Sequence, residues 1–176
     1  MSVSTSESAA EPAVERTGEG TGLTPRLFYR MLSIAEAVTW TLLIASLLLK
    51  YGFGIDTPFS FAAGLVHGFI FIAYAATALL VGINQRWGIG LIAGAVATAI
   101  VPYATIPFDR WLERSGRLAG NWRTAASDHP RDRSVIDRFV RWMLRHPILL
   151  GTVFVLAVVG VMAGMLVAGP PSEWGA

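Results

Sequence analysis

The sequence predicts an all-α fold: a polytopic membrane protein of four transmembrane helices, with an amphipathic surface helix just before the fourth. Three observations predict it. Of the 176 residues 53% are hydrophobic and only 15% charged, and the mean hydropathy is +0.53, whereas a soluble domain carries about a quarter of charged residues. The apolar residues are not dispersed, as a core would have them. They collect into runs of roughly the 20 residues a helix needs to cross the hydrocarbon layer. Arginine, lysine, tyrosine, glycine and proline stand at the ends of these runs, as headgroup layers and turns require.

Residues 1–25 read as a disordered N-terminal tail. Glu7, Glu11, Glu15 and Glu19 recur every four residues, but no apolar face accompanies them, and the basic start and apolar core of a signal peptide are missing. Residues 26–108 follow as a three-helix membrane core. Its first span runs from about Phe28 to Leu49, opened by Arg26 and Arg30 and closed by Lys50-Tyr51-Gly52. The second covers about Phe59 to Ile83 and meets the third through the tight connection Asn84-Gln85-Arg86-Trp87. The third covers about Gly88 to Ile106; Pro102 is expected to kink it and Pro107 to end it.

Residues 109–146 change character to an Arg-rich loop. Nine arginines (Arg110, Arg114, Arg117, Arg123, Arg131, Arg133, Arg138, Arg141, Arg145) face five acids (Asp109, Glu113, Asp128, Asp132, Asp137). Gly116 to Pro130 reads as flexible loop. From Ser134, a plausible N-cap, Ile136, Phe139, Val140, Met143 and Leu144 recur at helical spacing. That pattern fits an amphipathic helix over 134–146, lying on the membrane with its arginines toward anionic lipid; the alternative is a helix packed on the protein's own loops. The fourth span occupies 147–168, and 169–176 form a short C-terminal tail. By the positive-inside rule the Arg-rich connection faces the cytoplasm, which with four spans puts both termini outside. Arg26 and Arg30, directly before the first span, argue the other way.

The chain has no cysteine, which excludes disulfides, thiolate nucleophiles and cysteine-held metals. A formal charge of +2 is too small to imply nucleic acid. His129 and His146 fall in the loop with no ligand spacing, so neither a metal nor a cofactor is implied. Small-residue pairs at Gly64/Gly68, Gly90/Gly94 and Gly160/Gly164 allow close helix approach, within one subunit or toward a partner. The groups of most chemical interest are polar ones inside the apolar runs. A carboxylate there must be paired, hydrated or protonated, and Glu36 lies about two turns into the first span. Counting depth at ~1.5 Å per residue along antiparallel first and second spans puts Glu36 level with Tyr74, and His67 level with Trp40 and Thr41. A Glu36–Tyr74 hydrogen bond and a contact from His67 to Thr41 or Thr39 are the expected pairings.

Glu36-Ala37-Val38-Thr39-Trp40, Leu49-Lys50-Tyr51, Val66-His67-Gly68-Phe69 and Tyr74, then Ile106-Pro107-Phe108-Asp109, give residues 26–114 a shared order and spacing. In these the chain resembles a family of small integral membrane proteins, abundant in actinobacteria, with a His-Gly signature in the second span: a domain-of-unknown-function family with three spans. The fourth span, the basic loop and the tail look like additions. The resemblance implies a multi-pass protein of the bacterial plasma membrane and supplies no activity. The leading functional expectation is a non-enzymatic membrane component, its partners the lipid bilayer and either a homo-oligomer or another membrane protein. The alternative is a small homodimeric proton-coupled transporter using Glu36 as its proton or cation site. An intramembrane enzyme with Glu36 and His67 as acid and base ranks lowest, because depth counting separates the two.

Overall fold

The computed structural model describes residues 23–55 and 58–169. The expected N-terminal tail lies outside them except for positions 23–25, and the C-terminal tail except for Gly169. The described residues form six α-helices: α1 (Pro25–Leu47), α2 (Pro58–Asn84), α3 (Ile89–Thr98), α4 (Thr105–Arg114), α5 (Val135–Leu144) and α6 (Pro147–Ala168). Thr24 caps α1 by accepting the Leu27 N–H at 3.2 Å, with Pro25 at the first helical position, where its missing N–H is not needed. A π-helical turn, Leu48–Gly52, prolongs α1. Ser134 caps α5 as its sequence position implies, accepting from Ile136 N–H at 3.3 Å.

Three helices are long and apolar enough to cross a membrane: Pro25–Gly52, Pro58–Asn84 and Pro147–Ala168. They coincide with the first, second and fourth expected spans. The third expected span, 88–106, is not one helix. α3 stops at Thr98, four residues before Pro102, which has no N–H to continue the ladder; Tyr103 takes a left-handed φ of 65°. The chain then restarts as α4 at Thr105. Pro107 therefore sits in the first turn of a new helix, where a proline is tolerated, rather than ending an old one. Each piece has 10 residues, about 15 Å and roughly half the hydrocarbon thickness.

α3 and α4 fold back on each other as a hairpin. At its open end the Trp87 indole N–H donates to Arg117 O at 2.9 Å, and the Trp87 ring packs edge-on to Tyr29 at 5.9 Å. At its tip Ala99 O accepts from the Trp40 indole N–H at 3.1 Å. α4 then returns along α1, from Thr105 beside Glu36 to Glu113, which pairs with Arg26 and, at 3.4 Å, with Arg30. Both ends of the hairpin thus lie where α1 begins and α2 ends. Tyr29, Tyr74, Ala78, Val81, Trp87, Ala95, Ala99, Leu112 and Leu118 make the core between these elements. α6 packs against α2 and α5 and buries Val158 alone.

The Arg-rich segment is more ordered than its composition suggests. No helix covers 119–129, yet Asp132, 4% exposed, draws it together. Its carboxylate accepts from Arg86 at 2.9 Å, Arg123 at 2.6 Å and the Ser127 N–H and hydroxyl, each at 2.8 Å. Arg123 also donates to the terminal α2 carbonyls, to Ile83 O at 2.9 Å and to Asn84 O. Arg131 donates to Arg86 O at 2.7 Å. Cations on the last carbonyls of a helix meet its negative end, so the loop is clipped to α2. The backbone N–H of Ser127 first, then its hydroxyl and Arg86, hold the Asp132 carboxyl below the usual carboxylate range against the opposing effect of burial. α5 corrects the expectation of outward arginines at Arg141 alone: Arg138 and Arg145 are exposed, but Arg141 turns inward with Val140 and Met143 and donates to Asp132 O at 2.6 Å, while Ile136, Phe139 and Trp142 are exposed.

Candidate functional site

One face of α1 carries Ser33, Glu36 and Thr39 at spacings of three, all buried; α2 answers with His67 and Tyr74, also buried. Helical periodicity puts these groups on the seam between α1 and α2. What gathers there is the hairpin tip, residues 98–105, whose backbone leaves helical geometry inside an apolar bundle. Backbone of that kind needs side-chain and packing partners, and the seam supplies them.

Three short hydrogen-bond chains do so, and their directions follow from donor counting. Thr98 donates its single hydroxyl hydrogen to Ala95 O at 2.6 Å, so Tyr74 OH donates to Thr98 Oγ1 at 3.1 Å and Tyr29 OH donates to Tyr74 OH at 2.6 Å. Thr41 donates to Ala37 O at 3.1 Å, so the Tyr103 hydroxyl donates to Thr41 at 3.2 Å. Thr39 donates to Glu36 O at 2.9 Å, which assigns the proton at 3.1 Å to His67 Nδ1 as donor to Thr39 Oγ1. The Trp40 ring lies on His67 with 4.5 Å between ring centres while its N–H holds the tip at Ala99.

Glu36 is wholly buried. Its Oε2 accepts from Thr105 Oγ1 at 2.9 Å. Thr105 is the first residue of α4, so the carboxyl stands at the positive end of that helix. Among the described residues its Oε1 has no hydrogen-bond partner, nor has Ser33 Oγ one turn earlier.

The expected Glu36–Tyr74 bond is absent. Tyr74 is taken by Tyr29 and Thr98, and Glu36 by Thr105, a residue that reaches it only because the third run doubles back. Of the two contacts expected for His67, Thr39 makes it; Thr41 serves Tyr103 instead. Glu36 and His67 share no direct bond and are linked only through Thr39 and the Glu36 carbonyl.

The glycine pairs divide. A side-chain carbon at Gly68 would stand 3.3 Å from the Met162 Cε, so α6 uses that position. At Gly64, Gly90, Gly94, Gly160 and Gly164 it would meet no atom of the described residues within 4 Å. The close helix approach runs instead through Gly82, where it would come within 2.6 Å of Ile92. The glycine pairs read from the sequence did not include Gly82, although Ala78 lies four residues before it on the same helix. The roles of Asp132 and Thr105 were also missed; one of five acids in an Arg-rich stretch and a threonine before Pro107 carry no motif.

A family model described as a domain of unknown function, DUF3817, matches residues 27–114, half of the chain. The match begins in α1 and ends with α4, so it contains the seam and the hairpin and leaves out α5 and α6. A Streptomyces coelicolor chain, named as a membrane protein, is 37% identical over 112 residues. That match covers 63% of this chain and 13% of the relative, so the chain spans only a small part of the relative's length. No solved structure matches.

Proposed function

Since the chain belongs to the DUF3817 family, whose activity is unknown, we propose that it is a non-enzymatic, multi-pass component of a bacterial plasma membrane that packs against itself or another membrane protein. The observation that carries this reading is the state of α6. It is 22 residues long and buries only Val158, and Gly160 and Gly164 on it meet nothing. Helices associate in lipid where small residues let backbones approach, and that surface of α6 is free for a neighbour. The relative adds support: there the matched segment is 13% of a longer membrane protein, so the module is joined to further protein. The polar seam fits a non-enzymatic role, because Trp40, Thr41, Tyr74 and Glu36 all hydrogen-bond to the hairpin tip.

In this proposal α1, α2 and α6 cross the bilayer, and α3–α4 is a re-entrant hairpin that enters and leaves on one side. The segment before α1, the α2–α3 turn and the whole of 115–146 then share that side. Every arginine among the described residues belongs to this half of the bundle, and Lys50 to the other. Positive-inside placement makes the arginine end cytoplasmic. It replaces the reading with both termini outside by one in which the chain enters α1 from the cytoplasm and α6 ends outside. Arg26 and Arg30 then agree with the loop instead of opposing it.

The test is recovery of the tagged chain from its native membrane in mild detergent, followed by native mass. The wild type is expected as a stoichiometric complex with itself or a second membrane protein. Gly160→Leu combined with Gly164→Leu should reduce that complex about tenfold or more, about 1.4 kcal/mol. Unchanged assembly would remove the reading. A second reading, a homodimeric proton-coupled transporter, rests on the unpartnered Glu36 Oε1 and Ser33 Oγ beside a broken hairpin, the setting in which transporters bind ions. It predicts proton-coupled flux in proteoliposomes that Glu36→Gln abolishes; equal flux in both proteins disposes of it.

A further inference from the structure

At the arginine end, between α6 and the α1–α2 pair, lies an apolar cavity of about 670 Å³, lined among others by Phe28, Leu80, Trp122, Gly151 and Phe154. It is partly open to its surroundings, and its walls offer water almost nothing to bind. Its volume falls within the range of pockets that enclose small ligands, roughly 300–1,000 Å³.

The frame around it is fixed. Phe28 of α1 meets Phe154 of α6 edge-on at 5.8 Å and Trp122 at 6.3 Å. The Trp122 indole N–H donates to Leu23 O at 2.6 Å, which ties the loop across the start of α1. Gly151 contributes no side chain, and a carbon added there would meet nothing within 4 Å, so α6 leaves the space open.

A cation stands at the rim. Arg145 lies between Leu144 and Pro147, two more lining residues. Its Nε donates to Thr124 O at 2.7 Å, two residues from Trp122. Arg145 is exposed, and this Nε bond leaves the two terminal nitrogens of its guanidinium to face an anion. An apolar chamber for a chain and a guanidinium at its edge are the two halves of phospholipid recognition. A peptide segment would need polar partners for its backbone in the chamber, and the lining provides almost none.

We propose that this cavity holds an acyl chain of an anionic phospholipid of the cytoplasmic leaflet, with the phosphate on Arg145. The proposal rests on the membrane placement given above, not on association with a protein partner. Lipid retention is read without reference to sidedness or partner, so its failure is separate from failure of either.

The experiment is native mass measurement of the purified full chain in mild detergent, after incubation with vesicles of phosphatidylglycerol or of phosphatidylcholine. The wild type should retain one phosphatidylglycerol, with phosphatidylcholine about tenfold weaker. Gly151→Leu puts a branched side chain into the chamber and should weaken retention of both. Its melting temperature without added lipid should equal or exceed that of the wild type, which shows it folded. Arg145→Gln should bind both lipids equally. Retention by Gly151→Leu equal to the wild type, or no retention by the wild type, overturns the site. Equal retention of both lipids by the wild type, or an unchanged preference in Arg145→Gln, overturns the headgroup assignment. A second protein chain displaced by Gly151→Leu, in place of lipid, overturns the lipid as occupant.

Discussion

At the scale of the residue, the buried polar groups of the seam act through hydrogen bonds to one another and to nearby backbone. Tyr74 both donates to Thr98 and accepts from Tyr29. Tyr74→Phe leaves the buried Tyr29 hydroxyl without its acceptor and should lower unfolding stability in detergent by about 1–3 kcal/mol. Glu36→Gln keeps a carbonyl oxygen for Thr105 and should change stability by less than about 1 kcal/mol, whereas Glu36→Leu leaves Thr105 only the longer bond to Ser33 O at 3.3 Å and should be worse. Gly82 is the tightest small-residue contact. Gly82→Ala drives a carbon toward Ile92, a stiff β-branched side chain also backed by Trp87, and should cost about 1–3 kcal/mol. Gly64→Ala meets open space and should be near neutral in the same assay. The reverse ranking would mean that α2 and α3 do not pack as described. Gly64 stood in a glycine pair and Gly82 followed Ala78 by the same four residues, yet only Gly82 is in close contact, because spacing on one helix cannot say which face another helix will cover.

At the scale of the element, Asp132 decides whether the Arg-rich loop is a structure or a tether. Arg86, Arg123 and Arg141 come from three separate segments and meet on this one carboxylate. Asp132→Asn should free the loop, read as faster tryptic cleavage between Arg117 and Arg133 at neutral pH. The pH dependence has a definite sign. The folded carboxyl titrates below its ordinary range, so its contribution to docking is fully present above the unfolded aspartate value of about 3.9. It declines as the pH falls from there toward the lower folded value. Loop labelling should therefore stay flat from neutral to about pH 5 and rise only in stronger acid; a rise near pH 6 would point to a different group. The nine arginines between 110 and 145 were visible in the sequence. Their convergence on Asp132, and the inward turn of Arg141, were not, since charge composition gives no pairing.

At the scale of the whole molecule, the proposed re-entrant placement of the hairpin changes the count of crossings and with it the side of the membrane assigned to the chain before α1. The absence of cysteine from the chain makes every introduced thiol unique. Gly88→Cys and Ser115→Cys, both at exposed positions, should label from the cytoplasmic side in right-side-out against inverted vesicles, and Ile55→Cys from the opposite side. A straight third span would put positions 88 and 115 on opposite sides, so labelling of those two from different faces ends the re-entrant reading. The same placement brings Arg26, Arg30, Arg86 and the loop arginines to one surface, where the anionic leaflet attracts them.

The sequence by itself determined the all-helical class, the long apolar helices α1, α2 and α6, the cap at Ser134, and Glu36, Thr39, Thr41, His67 and Tyr74 among the polar groups of the seam. These depend on local composition and on a period of 3.6 residues, and both can be read along the chain. Only the tertiary structure decided what those groups touch. The apolar run at 88–106 has the length and hydropathy of a span, and Pro102 within it reads equally as a kink or as a stop. Whether the chain continues or returns depends on partners elsewhere, on Trp40, Tyr74 and Glu36 holding residues 98–105. Those contacts join positions 24 to 69 residues apart, beyond the reach of any local pattern. The return of the chain assigns Thr105 to Glu36 and leaves Tyr74 to Tyr29.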